Sequence, residues 1–200
     1  MEGHHRVGVI AELPPALLAL GIDPKPIFAE AGVAPEVLGE PENRIAFIDL
    51  GRLLAQAAAA SGCPHIGLNV GLRGGLASLG LVGRLMATAP TVRDALLDLS
   101  TNQVRYVHGA VVYLTVLEGV GLLGYSVQVP KMLGVGVLMD AAAGIGDRLI
   151  HQLCGQRPEA MRLSRAAPAD ALPYARGLGV MPSFDAEQTC AVIGPRLLAA

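Results

Sequence analysis

The sequence of 200 residues contains no tryptophan, and aromatic residues make up 4% of it. Charged residues make up 16%, well below the roughly 25% of an average domain, and the net charge is −2. A chain that binds nucleic acid by itself normally has a basic excess, so this composition argues against direct DNA or RNA binding. Because 52% of the residues are hydrophobic, the chain is not disordered, and a partner is expected to cover part of its surface.

Cysteines and long apolar runs are also scarce. Cys63, Cys154 and Cys190 are odd in number and far apart, which predicts reduced thiols in a cytoplasmic protein rather than a disulfide framework. The mean hydropathy is +0.48, but charged residues interrupt the apolar region 107–150 before it reaches the ~18 residues of a membrane span. The N-terminus has no signal-peptide pattern. We therefore predict a cytoplasmic protein without a membrane segment.

Apolar periodicity and capping residues predict mostly helices in the first hundred residues. Thr91 and Asp94 have the spacing of a capping box at the start of the last of them. The predicted helices cover Leu13–Leu20, Asp23–Ala31, Pro35–Leu38, a segment from Phe47 that ends at Ser61-Gly62, Leu79–Ala87 and a segment that begins at Pro90-Thr91.

The apolar period changes to that of strands after residue 104. A hairpin of Ala110–Leu117 and Leu122–Val129, with a turn at 118–121, precedes a long helix that ends at Gly155. Glycines 134, 136, 144 and 146 predict either close approach of another element or a helix start near Val137. Further segments are predicted as strands at Met161–Arg165, Pro182–Asp185 and Cys190–Ile193 and as a helix at Ala169–Arg176.

Together these elements predict an α+β fold in one domain, residues 1–200, with a helical half at about 1–104 and an α+β half at about 105–200.

Three sequence patterns suggest chemistry and have simpler explanations. Gly119–Gly124 matches G-x-G-x-x-G, but a strand pattern follows it, so a glycine hairpin turn is favoured over dinucleotide binding. Cys63 and His65 could share a metal, although structural zinc needs four ligands and no second pair exists at ligand spacing. Asp147 and His151 are predicted as an exposed ion pair, with an orienting pair as the alternative.

No nucleophile elbow or acid–base pair is evident. We predict that the chain is not an enzyme and has no metal or cofactor.

A group of tyrosines and methionines is the most informative feature of the second half. Each of these residues taken singly is predicted to be core, but together they predict an apolar ligand pocket between the helices and the hairpin, with tyrosine hydroxyls that orient a ligand. They are Tyr106, Tyr113, Tyr125, Met132 and Met139.

Several short motifs, in collinear order over nearly the whole chain, resemble one family. They are Leu20–Pro24, Ala31–Val33, Glu40–Ile45, Ser61–Leu68, Ala89–Leu96, Tyr174 and Leu178–Asp185. In this order they resemble the N-terminal, arabinose-binding-type domain of AraC-type transcription regulators, in the subgroup of ornithine- and arginine-utilisation regulators. Cys63 departs from the family, which more often has Asp there, and this weakens a helix cap.

The resemblance implies a bacterial sensory domain that binds a small-molecule effector and forms a homodimer. DNA would be bound only by a C-terminal helix-turn-helix domain, which this chain does not include, so the chain is expected to be part of a longer regulator or a remnant of one. Two alternatives remain open. One is a haem or fatty-acid sensor of the H-NOX type, with His108 beside the hairpin as the haem ligand. The other is a domain used purely for dimerisation or protein docking.

Overall fold

The protein is described from a computed structural model that covers residues 3–103 and 107–200. Helices precede a hairpin, a long helix and short strands, and this α+β architecture confirms the predicted class. The first half contains β1 (His4–Arg6), the 3-10 helix η1 (Gly8–Glu12), α1 (Leu13–Leu18), α2 (Pro24–Ala31), η2 (Pro35–Leu38), β2 (Arg44–Ala46), α3 (Phe47–Ser61), α4 (Ile66–Arg73), η3 (Leu76–Leu79), α5 (Gly80–Met86) and α6 (Val92–Asn102). The second half contains β3 (Val107–His108), β4 (Ala110–Leu117), β5 (Val120–Val127), α7 (Val135–Cys154), β6 (Ala160–Arg162), α8 (Leu172–Leu178), β7 (Cys190–Ile193) and α9 (Pro195–Leu198).

Local signals account for most helix ends. The Asp23 carboxylate caps α2 by accepting a hydrogen bond from the N–H of Lys25 at 3.0 Å. Gly32 ends the same helix with φ +66°. Sequence reasoning missed α4, which contains Gly67 and Gly71, because glycine lowers helix propensity and only tertiary packing compensates for it.

The predicted capping box at the start of α6 is present. Thr91 Oγ1 accepts a hydrogen bond from the N–H of Asp94 at 3.1 Å and donates to the Asp94 carboxylate at 2.7 Å. Thr91→Ala is expected to lower the free energy of unfolding by about 1 kcal/mol, because it leaves an N–H of the first turn without its partner. Thr101→Ala, at an exposed site on the same helix, is the control and should lower it by less than about 0.5 kcal/mol. Urea unfolding measures both, and equal losses would contradict the capping role.

The strands form two antiparallel sheets, in the order β2-β1-β3 and the order β4-β5-β7-β6. The hairpin turn has two residues, Glu118 (φ +51°) and Gly119 (φ +82°), and Val120 already pairs with Leu117. The predicted four-residue turn was therefore wrong, because positive φ at two successive residues gives a turn whose twist matches the strands. Gly121 and Gly124 lie on β5, where they pair with Val116 and Tyr113 of β4. This confirms that the glycine motif belongs to a hairpin.

The predicted strand Pro182–Asp185 was wrong. Only Ser183 forms an isolated bridge, with Arg162, while β7 inserts between β5 and β6. Proline has no N–H for a sheet ladder, so this segment is unsuited to a regular strand. The predicted strand Met161–Arg165 is present as the shorter β6.

Helices α4 and α7 cross in close contact through glycines. A Cβ added to Gly71 would overlap the carbonyl oxygen of Ala141 and would lie 2.8 Å from the nitrogen of Ile145. A Cβ on Gly144 would lie 2.9 Å from the carbonyl oxygen of Leu68. This confirms the predicted close approach of another element at Gly144. Gly136 has no such neighbour among the described residues.

The buried side chains form two clusters, and both draw on residues from before and after position 104. One cluster lies among α1 to α4 and includes Ala110, Met132 and Leu138. The other lies between α5, α6, α7 and the four-stranded sheet. Within the described residues no single helix is long and apolar enough to cross a membrane. The helical segments 66–73 and 76–86 reach that length and apolar composition only when taken together, and a 90° bend separates them.

Candidate functional site

A cavity of about 140 Å³ lies between α7 and the four-stranded sheet. The sheet contributes Val112, Leu123 and Tyr125, and α7 contributes small residues such as Ala142 and Gly146. Helices α5 and α6 and the N-terminal segment also contribute residues to its lining.

The small side chains of α7 explain why this space is empty. Ala142 and Gly146 are four residues apart and so share one helix face. A Cβ added to Gly146 would meet only Leu123, at 3.9 Å, among the described residues. Protein interiors are normally packed without voids larger than a water molecule, so a cavity of this size is a specific feature of the fold.

Two buried polar groups at this cavity have no hydrogen-bond partner among the described residues. Neither the side-chain oxygen nor the nitrogen of Gln103 has a partner in the described part of the chain, and the same is true of the Tyr125 hydroxyl. Gln103 is only 5% exposed. Burial raises the pKa of Tyr125 well above its ordinary value, so the hydroxyl keeps its proton. Buried polar groups almost always have partners, so these two exceptions make the cavity the candidate site.

Two basic residues, His5 and Arg6, lie in the N-terminal wall of the cavity. The His5 ring is neutral, and the Arg6 guanidinium is paired with a carboxylate. Burial lowers the pKa of His5 to about 4, so its ring is neutral at pH 7 and Nδ1–H donates to the Arg6 carbonyl oxygen at 2.5 Å. The Arg6 guanidinium donates to both carboxylate oxygens of Glu42, at 2.6 and 3.0 Å, and to the Ser78 carbonyl oxygen. The hydrogen bonds from Arg6 hold the pKa of Glu42 below its ordinary value. The charge of Arg6 is thus compensated within the protein.

Of the residues predicted to form the pocket, Tyr125 lines the cavity. Tyr113 follows Val112 on β4 and so faces the other side of the sheet, where its hydroxyl donates to Gln188. Met132 belongs to the cluster among α1 to α4, beside Gly51. Met139 is half-buried on α7 and is not part of the lining. Tyr106 lies outside the described residues.

Gln103 is a polar cavity residue that sequence reasoning missed. It follows Leu96 and Leu99 at the helical spacing, so it continues the apolar face of α6 just past the end of that helix. A polar residue at a position where the pattern requires an apolar one is a signal that the sequence contains. Such a position marks Gln103 as a candidate contact for a bound molecule.

A second polar cluster lies away from the cavity. Asp140, which is 1% exposed, accepts hydrogen bonds from Tyr174 Oη at 2.7 Å and from Arg165 Nη1 at 2.5 Å. The same Arg165 nitrogen donates to the carbonyl oxygen of Pro64 at 3.0 Å. Because these groups come from α7, α8 and two loops and bind one another, the cluster ties the elements together.

The prediction of an exposed Asp147–His151 ion pair was wrong. Asp147 is fully buried, and Nη1 of Arg157 lies 3.2 Å from its carboxylate. The angles are not those of a hydrogen bond, so within the described residues the carboxylate has an ionic partner only. Burial raises the pKa of Asp147, and the nearby Arg157 partly opposes this.

Cys63, which the sequence placed beside His65 in a loop, is buried and accepts a long hydrogen bond from Asn69. No group of three or more His, Cys, Asp or Glu side chains within 3–103 and 107–200 is arranged to hold a metal ion.

The cavity between the helices and the sheet is therefore the candidate site, with Gln103 and Tyr125 unpartnered among the described residues. The chain belongs to the AraC family of transcription regulators: the family described as the arabinose-binding domain of AraC transcription regulator, N-term, matches residues 21–200. Proteins of this family are transcription regulators and not enzymes.

Two individual proteins are similar to this chain, both from Pseudomonas aeruginosa. The ornithine utilization regulator is 32% identical over 76 residues, which are 38% of this chain and 22% of that protein. The crystal structure of the transcriptional regulator CdpR matches with a TM-score of 0.60 and 17% identity, over 88% of this chain and 55% of that chain. The matches therefore span well under two thirds of either relative. At this identity CdpR establishes the fold alone.

Proposed function

We propose that this chain is the effector-sensing domain of an AraC-type regulator, in which a small molecule occupies the cavity between α7 and the four-stranded sheet. The observation that carries this proposal is the cavity itself, with Gln103 and Tyr125 unpartnered at its wall among the described residues. A ligand that binds one conformation better than another shifts the equilibrium between them. DNA would be bound by a separate helix-turn-helix domain of the regulator, because this chain has a net charge of −2.

Helix α6 offers a physical route from the cavity to such a domain. Leu99 and Gln103, at its C-terminal end, line the cavity. At its N-terminal end the N–H of Val92 donates to the carbonyl oxygen of Ala200 at 2.9 Å, and Leu197 and Leu198 are buried in the cluster that includes α6. A domain joined after residue 200 would therefore lie next to the N-terminal end of α6, while the C-terminal end of α6 contacts the ligand.

We also propose that the regulator is a cytoplasmic homodimer, since paired operator sites mirror a two-fold protein. Exposed leucines on α5 and α6 support the existence of an apolar contact surface. They are Leu81, Leu85 and Leu97, each more than 40% exposed.

The cavity also bears on the two alternatives. A domain used only for docking needs no space in its interior, so the cavity favours the sensor. Haem sensing has less support, because His108 is exposed on β3 and does not line the cavity. A cavity near 150 Å³ accommodates about one benzene ring, far less than a haem macrocycle.

Thermal unfolding in the presence of a broad set of metabolites, ornithine included, tests the proposed function. A bound effector at about a hundred times its Kd should add ~2.7 kcal/mol to the free energy of unfolding. Ala142→Leu fills the cavity and should abolish that gain. Ala60→Leu, at an exposed site on α3, should retain it. A broad set without any stabilising compound would contradict the proposal, and so would a gain that persists in Ala142→Leu.

A further inference from the structure

We propose that the cavity binds a compact, electrically neutral molecule about the size of a substituted benzene, with an apolar body and one polar group that hydrogen-bonds to Gln103 and Tyr125. This inference rests on the proposed function, and it specifies the chemical class of the effector.

The size of the ligand follows from the cavity volume. The space measures about 140 Å³, and a cavity of roughly 150 Å³ lined by apolar side chains holds one benzene molecule. The walls formed by Val112, Leu123, Leu138 and Leu149 are apolar. An apolar ring or short branched chain would therefore fill the space, and a long acyl chain would exceed it.

The single polar group of the ligand follows from Gln103 and Tyr125, whose polar atoms have no partner in the part of the chain that the structure describes. The Gln103 amide both donates and accepts hydrogen bonds, and the Tyr125 hydroxyl does the same. Leaving such groups buried without partners costs free energy in the empty protein. A ligand amide, or a hydroxyl group, supplies both a donor and an acceptor and recovers that cost. A purely apolar ligand of the same shape does not.

The neutrality of the ligand follows from the charges around the cavity. No aspartate or glutamate is among the described residues that line it, so a ligand ammonium group has no counter-ion. The Arg6 guanidinium is engaged by Glu42 and by the Ser78 carbonyl oxygen, so a ligand carboxylate would have to compete for it. His5 is neutral at pH 7. Burying an unpaired charge is far more costly than burying a paired one, which excludes a cationic amino acid from this cavity.

A series of benzene derivatives with different substituents tests the proposed chemical class of the effector. The ¹⁵N-labelled chain is titrated with benzamide, toluene, benzoate and benzylammonium, and with ornithine, and the Kd values come from amide chemical shifts. Benzamide should bind about tenfold more tightly than toluene, because it pairs Gln103 and Tyr125. Benzoate, benzylammonium and ornithine should each bind at least about tenfold more weakly than benzamide.

Two variants test whether Gln103 and Tyr125 bind the polar group of benzamide. Gln103→Leu and Tyr125→Phe should each weaken benzamide binding by about tenfold and leave toluene binding unchanged or tighter. The matched controls are Gln128→Leu, at an exposed glutamine, and Tyr113→Phe, on the opposite face of the sheet. Both should retain the benzamide affinity of the parent chain. Toluene serves as the folding control, since its binding requires only the intact cavity.

The outcomes separate this inference from the proposed function. Tighter binding of benzoate, benzylammonium or ornithine than of benzamide would overturn the neutral class while supporting a sensor. Equal affinities for toluene and benzamide, or benzamide binding unaffected by both variants, would overturn the polar recognition. If neither these probes nor any metabolite in the thermal screen binds, both the inference and the proposed function fail.

Discussion

Replacing Gly71 by valine is expected to lower the free energy of unfolding by about 3 kcal/mol, the upper end of the usual cost of overpacking a core. The position on α4 has no room for a side chain, because an added Cβ would overlap the backbone of α7 at Ala141 and would lie 2.8 Å from the nitrogen of Ile145. These atoms are backbone in a regular helix and cannot rotate away. The two helices must separate, and the apolar contacts on either side of the crossing are then lost.

Gly136→Ala is the matched control for this prediction. Gly136 also lies in a helix, α7, but apart from its own helix no described atom is within 4 Å of an added Cβ. Alanine there should leave the free energy of unfolding unchanged or raise it by up to about 1 kcal/mol, through its higher helix propensity. Urea unfolding at pH 7 compares the two variants with the parent chain. Equal stability of the parent and Gly71→Val would refute close packing of α4 on α7.

Replacing Arg165 by methionine is expected to lower the free energy of unfolding by about 3 kcal/mol at neutral pH, because it leaves a buried carboxylate without its counter-ion. The Asp140 carboxylate is 1% exposed and loses its ion pair with Arg165, while Tyr174 still donates to it. Arg52→Met is the control. It breaks the Arg52–Asp49 pair on α3, whose side chains are 47% and 40% exposed, and should cost less than about 1 kcal/mol.

The loss in Arg165→Met should depend on pH. Burial raises the pKa of Asp140, and Tyr174 and Arg165 only partly oppose this. A carboxyl group whose pKa is raised in the folded state favours that state below its unfolded pKa. This contribution is lost as the pH rises through the folded-state pKa. Removing Arg165 raises the folded-state pKa of Asp140 further, so the loss should be largest above that pKa and shrink as the pH falls through it.

The double variant Asp140→Leu with Arg165→Met gives a further test of the same cluster. Removing both charged groups eliminates the unpaired carboxylate, so a large part of the stability lost in Arg165→Met should return. Urea unfolding at several pH values measures all three variants. A loss in Arg165→Met that is independent of pH and is not recovered in the double variant would contradict the role of Asp140.

The elements that sequence reasoning predicted correctly have local causes. The cap at Asp23, the capping box of Thr91 and Asp94, and the glycine after α7 each act within a few residues of the helix end that they define. The β4–β5 hairpin is also local, since its strands are consecutive. Its turn was predicted two residues too long because the glycine at 121 resembles a turn residue, although Val120 and Gly121 continue the ladder.

The errors concern features that depend on distant parts of the chain. Helix α4 was missed because its glycines are stable in a helix only against α7, about seventy residues later. The β1 sheet joins residues 4–6 with 44–46 and 107–108, and no local pattern shows this pairing. Tyr113 and Tyr125 have similar surroundings in sequence, and only the strand register places them on opposite faces.

The sequence by itself determined the fold class, most helices, the hairpin and the family, because capping residues, apolar periods and collinear motifs are properties of neighbouring residues or of their order. Only the tertiary structure decided where the cavity lies and which polar groups face it. That cavity arises where Gln103 at the end of α6, Tyr125 on β5 and the small residues of α7 meet. The space between elements depends on how they pack, and a linear pattern does not contain that information.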